Sequence, residues 1–117
     1  MLTPGQMYLL NHACWPVRLA FSSCPYLVGS ALERPDYRDV DVRTMLDDDR
    51  FAAMFPGYES EWTDPLWSLV CSTIGRQLSD ATGLRVDYQI QQTTTANELY
   101  HGPRNALAVF AVGPRPR

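Results

Sequence analysis

The chain has 117 residues, 45% hydrophobic and 20% charged, with a formal net charge of −3, which is the make-up of an ordinary globular domain. The negative balance argues against a protein whose main business is coating nucleic acid, because such binding is driven by basic residues that release counterions; it leaves room for a local basic patch. All ten basic side chains are arginine, so lysine chemistry is excluded, from Schiff bases to a phosphate-loop lysine; any polyphosphate must be held by arginine, backbone and metal.

The length fits a single domain, read as residues 1–112, followed by a loose tail over 113–117. Cys14, Cys24 and Cys71 are odd in number and form no Cys-x-x-Cys pair, so buried thiols are expected rather than disulfides or a zinc site. No signal-peptide pattern opens the sequence and no apolar run reaches the ~18 residues of a membrane span. The expected compartment is therefore the cytoplasm, with no membrane partner.

In chain order, Thr3-Pro4-Gly5-Gln6 predicts a helix start, with Thr3 as cap and Gln6 closing a capping box. Met7, Leu10, Cys14 and Val17 recur at helical spacing, and Pro16 should break the helix, leaving a second piece from Val17 to Phe21. His12 is expected to be a half-exposed helix residue. Ser22-Ser23-Cys24-Pro25 turns into a short strand, Tyr26 to Val28, and a polar loop runs from Ala31 to Arg38. In it, Tyr37 either stacks on a base or packs on the fold surface. A second strand runs from Asp39 to Leu46. Asp47-Asp48-Asp49 then caps a short helix over Arg50 to Phe55.

After a loop at Pro56 to Glu61, Asp64-Pro65 opens the longest helix, which ends at Gly83. Leu66, Leu69, Val70, Ile74 and Leu78 are its expected core stripe, and Trp62 and Trp67 add bulk at its start. Arg76 and Gln77 lie off that stripe, to reach a nucleotide or face solvent. Leu84, Val86, Tyr88 and Ile90 alternate with Arg85, Asp87 and Gln89 in a third strand with one apolar and one polar face. Gln91 to Thr95 is polar and β-rich, Ala96 to His101 reads as a turn of helix, and Asn105 to Val112 as a final strand or short buried helix. His101 and Arg104, flanking Gly102-Pro103, either close over the site or belong to a plain loop.

The chemistry concentrates around Val28-Gly29-Ser30 and Asp39-Val40-Asp41-Val42. Side chains alternate along a strand, so Asp39 and Asp41 point the same way roughly 6–7 Å apart while Val40 and Val42 pack on the other face. Two carboxylates so placed suit Mg²⁺, which takes hard oxygen ligands and keeps positions for water and phosphate. Glycine lets the backbone approach a phosphate closely, and the serine hydroxyl adds a donor. Arg43, on the same strand face, is either a phosphate partner or half of a surface ion pair.

The glycine-serine turn followed by the Asp-x-Asp strand resembles the signature of the nucleotidyltransferase superfamily typified by DNA polymerase β. The resemblance spans residues 26 to 90 and implies a third carboxylate on a later strand, which Asp87 supplies. It further implies Mg²⁺ or Mn²⁺ held by Asp39, Asp41 and Asp87, with Asp87 also helping to take the acceptor's proton, and a nucleoside triphosphate such as ATP gripped by Gly29 and Ser30. The reaction implied is transfer of a nucleoside monophosphate to an acceptor hydroxyl on a protein, a nucleic-acid end or a small molecule. The chain departs from the family in a shorter loop before Asp39 and in lacking the Arg-Gly that often follows the serine. It has little room for the helical domain that completes the family's substrate pocket, so a second copy or a partner protein is expected to complete it.

The expected fold is α/β (α+β), a mixed sheet of about three to five strands with helices on one face and the acids on the other. An alternative function is a catalytically silent domain of the same fold, used as a binding or antitoxin-like partner. A sugar-nucleotide transferase is disfavoured by the short stretch ahead of Asp39. A purely structural domain with surface aspartates would show no metal response.

Overall fold

A computed structural model describes residues 1–61 and 63–109. Trp62, residues 110–112 of the apolar run and the tail at 113–117 lie outside the described residues. The elements are α1 (Pro4–Ala13), α2 (Trp15–Phe21), β1 (Tyr26–Val28), α3 (Ser30–Glu33), β2 (Val40–Leu46), α4 (Asp48–Met54), α5 (Pro65–Thr82), β3 (Val86–Gln92), α6 (Thr93–Leu99) and β4 (Arg104–Ala106). The sheet is mixed, in the order β3-β2-β1-β4. β1 runs antiparallel to β2 and β4, whereas β2 and β3 are parallel. A parallel pair needs a long crossover, and α4 and α5 supply it. This is the expected α+β architecture.

Strict alternation along β2 sets the two faces. Val40, Val42, Thr44 and Leu46 are buried, while Asp41, Arg43 and Met45 are only partly covered. Val40, Val42 and Leu46 join Leu10 of α1 and Cys14 just after it, Val17 and Phe21 of α2, Phe51 of α4, and Trp67, Cys71 and Leu78 of α5 in one apolar cluster. Each fully buried Leu or Val in it is worth about 1.5–3 kcal/mol. Burial raises the Cys14 thiol to about 12 and Cys71 to about 11, as suits thiols that serve as packing.

The predicted helix signals act as read. Thr3 caps α1 with both halves of the capping box formed, and the chain breaks at Cys14 so that Pro16 falls in the first turn of α2, where its missing N–H costs nothing. Asp47 accepts the Arg50 N–H at 2.8 Å. Asp64 accepts from Leu66 and Trp67, and Gly83 closes α5 at φ +73°.

The expectation for the face of α5 is met in part: Leu78 and Trp67 are buried and Val70 and Ile74 pack against the core, but Leu66 and Leu69 do not. Its buried residues are Trp67, Cys71, Gly75, Leu78 and Thr82, whereas Leu66 and Leu69 are 52% and 63% exposed. The helix lies along the outer edge of β3 and needs small and hydrogen-bonding groups there. Trp67 Nε1–H donates to the Ile90 carbonyl at 2.8 Å, the Ile90 N–H donates to Cys71 Sγ at 3.4 Å, and the Val86 N–H donates to Ser79 Oγ at 3.0 Å. At Gly75 a methyl group would already touch Tyr88 and the Val86 carbonyl, both 3.5 Å away. Hydropathy favours leucine, while edge satisfaction selected Trp, Cys, Gly and Ser.

Three further segments differ. Part of the polar loop winds into α3, and while Gln91 and Gln92 extend β3 as their β-rich character predicts, Thr93 to Thr95 open α6 instead. Thr93 Oγ1–H donates to the Leu46 carbonyl and Thr94 Oγ1–H to Asp48. These tertiary partners override the β preference of threonine. Of the apolar run, Asn105 and Ala106 lie in β4. The next residues are pinned: the Leu107 N–H donates to Pro25 O, and Ala108, at φ +58°, receives Arg18 on its carbonyl and gives its N–H to Asn11. Among the described residues no helix is long and apolar enough to cross a membrane.

Candidate functional site

The sheet face turned away from the core carries the acids. Register pairs Asp41 with Asp87 and with Val28, and Val28 in turn with Arg104. One row across the four strands therefore reads Asp87, Asp41, Val28, Arg104. The next row sets Gln89 beside Arg43 and Tyr26. Two acids far apart in sequence thus become neighbours because β2 and β3 are parallel and in register.

Arg43 lies between the acids. Its guanidinium donates to the Asp87 carbonyl at 2.7 Å and to Asp87 Oδ2 at 3.3 Å, and approaches Asp41 Oδ1 at 3.8 Å. It is therefore the acids' own counter-ion, with a side chain only 14% exposed. Asp39 sits just ahead of β2 and pairs with Arg85 at 3.2 Å. The Asp41 carboxyl is held above the usual carboxylate range, chiefly by burial, with Asp87 and Asp39 adding to the rise and Arg43 opposing it.

Gly29 closes the site from the β1 side. It holds φ +80° and ψ −158°, and a Cβ there would lie 2.6 Å from Asp41 Oδ2. Glycine is needed both for the backbone angle and for the approach of the carboxylate. Two cavities meet at Asp41. The larger, about 390 Å³, is lined by Ser30, Arg34, Asp36, Tyr37, Arg38, Asp39 and Asp41. The smaller, about 200 Å³, is lined by Val28, Gly29, Asp41, Arg43, Met45, Gln91, Tyr100 and Arg104.

Of the residues singled out in the sequence, Gly29, Asp41, Arg43 and Asp87 are drawn together, while Ser30 and Asp39 face the larger cavity. Among the described residues no three of His, Cys, Asp or Glu are gathered into a ready metal group. Asp41 and Asp87 are nevertheless two adjacent hard carboxylates, the donor set that Mg²⁺ commonly takes from a protein. Tyr100 and Gln91 went unremarked in the sequence. The signal for Tyr100 lay in Gly102-Pro103, the turn that brings residues 100–104 back across the site; His101 in that turn is exposed. Arg76 and Gln77 are exposed on α5 and line neither cavity. In comparisons with family models, curated proteins and solved structures, no match to this chain was found.

Proposed function

We propose that this chain is a metal-dependent nucleotidyltransferase that moves a nucleoside monophosphate from a nucleoside triphosphate to an acceptor hydroxyl. The observation that carries the reading is the pairing of Asp41 with Asp87 in register against a glycine that only just clears the Asp41 carboxylate. The two cavities divide the substrates. The larger has the size of an ordinary small-molecule pocket, roughly 300–1,000 Å³, and offers Ser30, Arg34 and Arg38 to a polyphosphate and Tyr37 to a base. The smaller, with Gly29 on its wall, has room for the phosphate that meets Gly29 and for the acceptor's reacting group beside it.

Asp41 and Asp87, with Asp39 at the larger cavity, would hold a magnesium or manganese ion, which when bound supplies charge neutralisation at the departing pyrophosphate. Arg43 neutralises the acid pair in its resting state. The acceptor oxygen forms its new bond to the α-phosphorus, the bond from that phosphorus to the bridging oxygen breaks, and pyrophosphate leaves. Asp87, with a side chain 48% exposed, takes the acceptor's proton and passes it to water.

A second reading is a silent nucleotide-binding partner domain, and the observation favouring it is Arg43 already occupying the acid pair. One experiment separates the two. Each α-labelled nucleoside triphosphate is incubated with Mg²⁺ and the protein, alone and in lysate, beside Asp41→Asn. Labelled product with the parent chain and none with the variant supports the enzyme. Metal-dependent binding without product supports the silent partner, and neither binding nor product sinks both.

A further inference from the structure

We propose that Tyr100 is an autoinhibitory latch whose phenol occupies the Gly29 N–H that a phosphate oxygen must take for a nucleotide to sit beside Asp41. The proposal rests on the nucleotidyltransferase reading, in which Gly29 is a phosphate contact. Four residues of helix give α3 no useful dipole, and what marks this amide is the partner it already has. The Gly29 N–H donates to the Tyr100 hydroxyl oxygen at 3.2 Å, and that hydroxyl donates in turn to the Pro103 carbonyl at 2.6 Å.

The segment from Tyr100 to Arg104 is built to hold the phenol there. A Cβ on Gly102 would lie 2.6 Å from the Tyr100 hydroxyl oxygen and 2.7 Å from its Cζ, so only glycine lets the turn close over the ring. Arg104 covers the same ring at 5.7 Å. Its guanidinium is anchored to Asn97 Oδ1 at 2.9 Å and to the Ala96 and Tyr100 carbonyls at 3.2 Å each. Arg104 is thus tied to α6 by two bonds and to Tyr100 itself by a third, while the phenol meets Gly29 through one neutral hydrogen bond.

That asymmetry sets the behaviour. A hydrogen bond to an ionised phosphate is roughly twice as strong as a neutral one, so a polyphosphate displaces the phenol, and it does so at the expense of the contact it breaks. Removing the hydroxyl removes that expense. A neutral hydrogen bond of ordinary net strength corresponds to about three- to tenfold in affinity.

The test is binding of magnesium tripolyphosphate, a probe with phosphate oxygens and no base, to the parent chain, Tyr100→Phe and Gly102→Ala, with thermal melts to establish folding. Both variants should bind about three- to tenfold tighter than the parent, the second because its methyl group pushes the ring off Gly29. A purely structural tyrosine would give unchanged or weaker binding, and that result overturns the latch while leaving the nucleotidyltransferase reading in place. Absence of binding by the parent and the folded variants alike removes both. If Gly102→Ala does not fold, Tyr100→Phe decides.

Discussion

Gly29→Ala is the sharpest probe of how the site is built. At φ +80° and ψ −158° the backbone lies in a region open essentially to glycine, and forcing alanine into it costs about 1–3 kcal/mol. In a domain near 100 residues each kcal/mol lowers the melting temperature by about 4–8 °C, so the variant should melt roughly 4–24 °C below the parent. A second contribution comes from Asp41, whose Oδ2 lies 2.6 Å from the new methyl group and must be pushed aside. The two are separable. Asp41→Ala removes the crowding and leaves the backbone penalty, so Gly29→Ala should cost less in that background, by about 0.5–3 kcal/mol for groups in contact. The assay is chemical and thermal denaturation of the four proteins without added metal. If Gly29→Ala melts with the parent, the tight turn against the carboxylate is not how the chain folds. If its cost is the same in both backgrounds, crowding by Asp41 plays no part.

Two other outcomes follow from groups on either face of β2. Asp41 is held above its ordinary range, so the folded state keeps this proton after the unfolded chain has lost it. The stability it contributes is complete below the unfolded value of about 3.9 and is lost as pH rises through the raised folded value. Asp41→Asn should flatten that decline and be the more stable protein at neutral pH without metal; urea midpoints across the pH range check it, and parallel curves for the two proteins would refute it. On the core face, Tyr88 donates to Thr44 Oγ1 at 2.6 Å in full burial. Thr44→Val strands the phenol and should cost about 1–3 kcal/mol, most of which returns in Thr44→Val/Tyr88→Phe because both partners are then apolar. A double variant no more stable than Thr44→Val would show that the bond is not what the single substitution breaks.

How much of this was legible in the sequence depends on whether the signal was local. Thr3, Asp47, Asp64 and Gly83 announce helix ends because a cap acts on its own neighbours, and the alternation of Val40, Val42, Thr44 and Leu46 announces which face of β2 is buried. The acids' placement follows from the same alternation once β3 is paired. The buried face of α5 was legible only in part, at Trp67, Val70, Ile74 and Leu78; Cys71, Gly75 and Ser79 answer to the unpaired edge of β3, and a hydropathy stripe has no knowledge of an edge. The engagement of Arg43 with the acids was visible only as one of two options, since choosing between them needs the register of β2 against β3. Tyr100 was legible only as the neighbour of a Gly-Pro turn, for a related reason. It reaches Gly29 across 71 residues, and a Gly-Pro turn marks a reversal of the chain without saying where the chain returns.

The way α5 covers β3 has a consequence for behaviour at high concentration. A bare strand edge invites pairing with another chain and so seeds fibrils. Here indole, thiol and hydroxyl side chains take up backbone groups of β3 at Val86 and Ile90, which leaves little for an incoming strand to grasp. Loss of these stitches, for example through alkylation of Cys71 or replacement of Trp67, would do more than lower the melting point. It would expose a seven-residue strand rich in glutamine, a composition prone to self-templated growth, and the first sign of such damage would be turbidity rather than lost secondary structure.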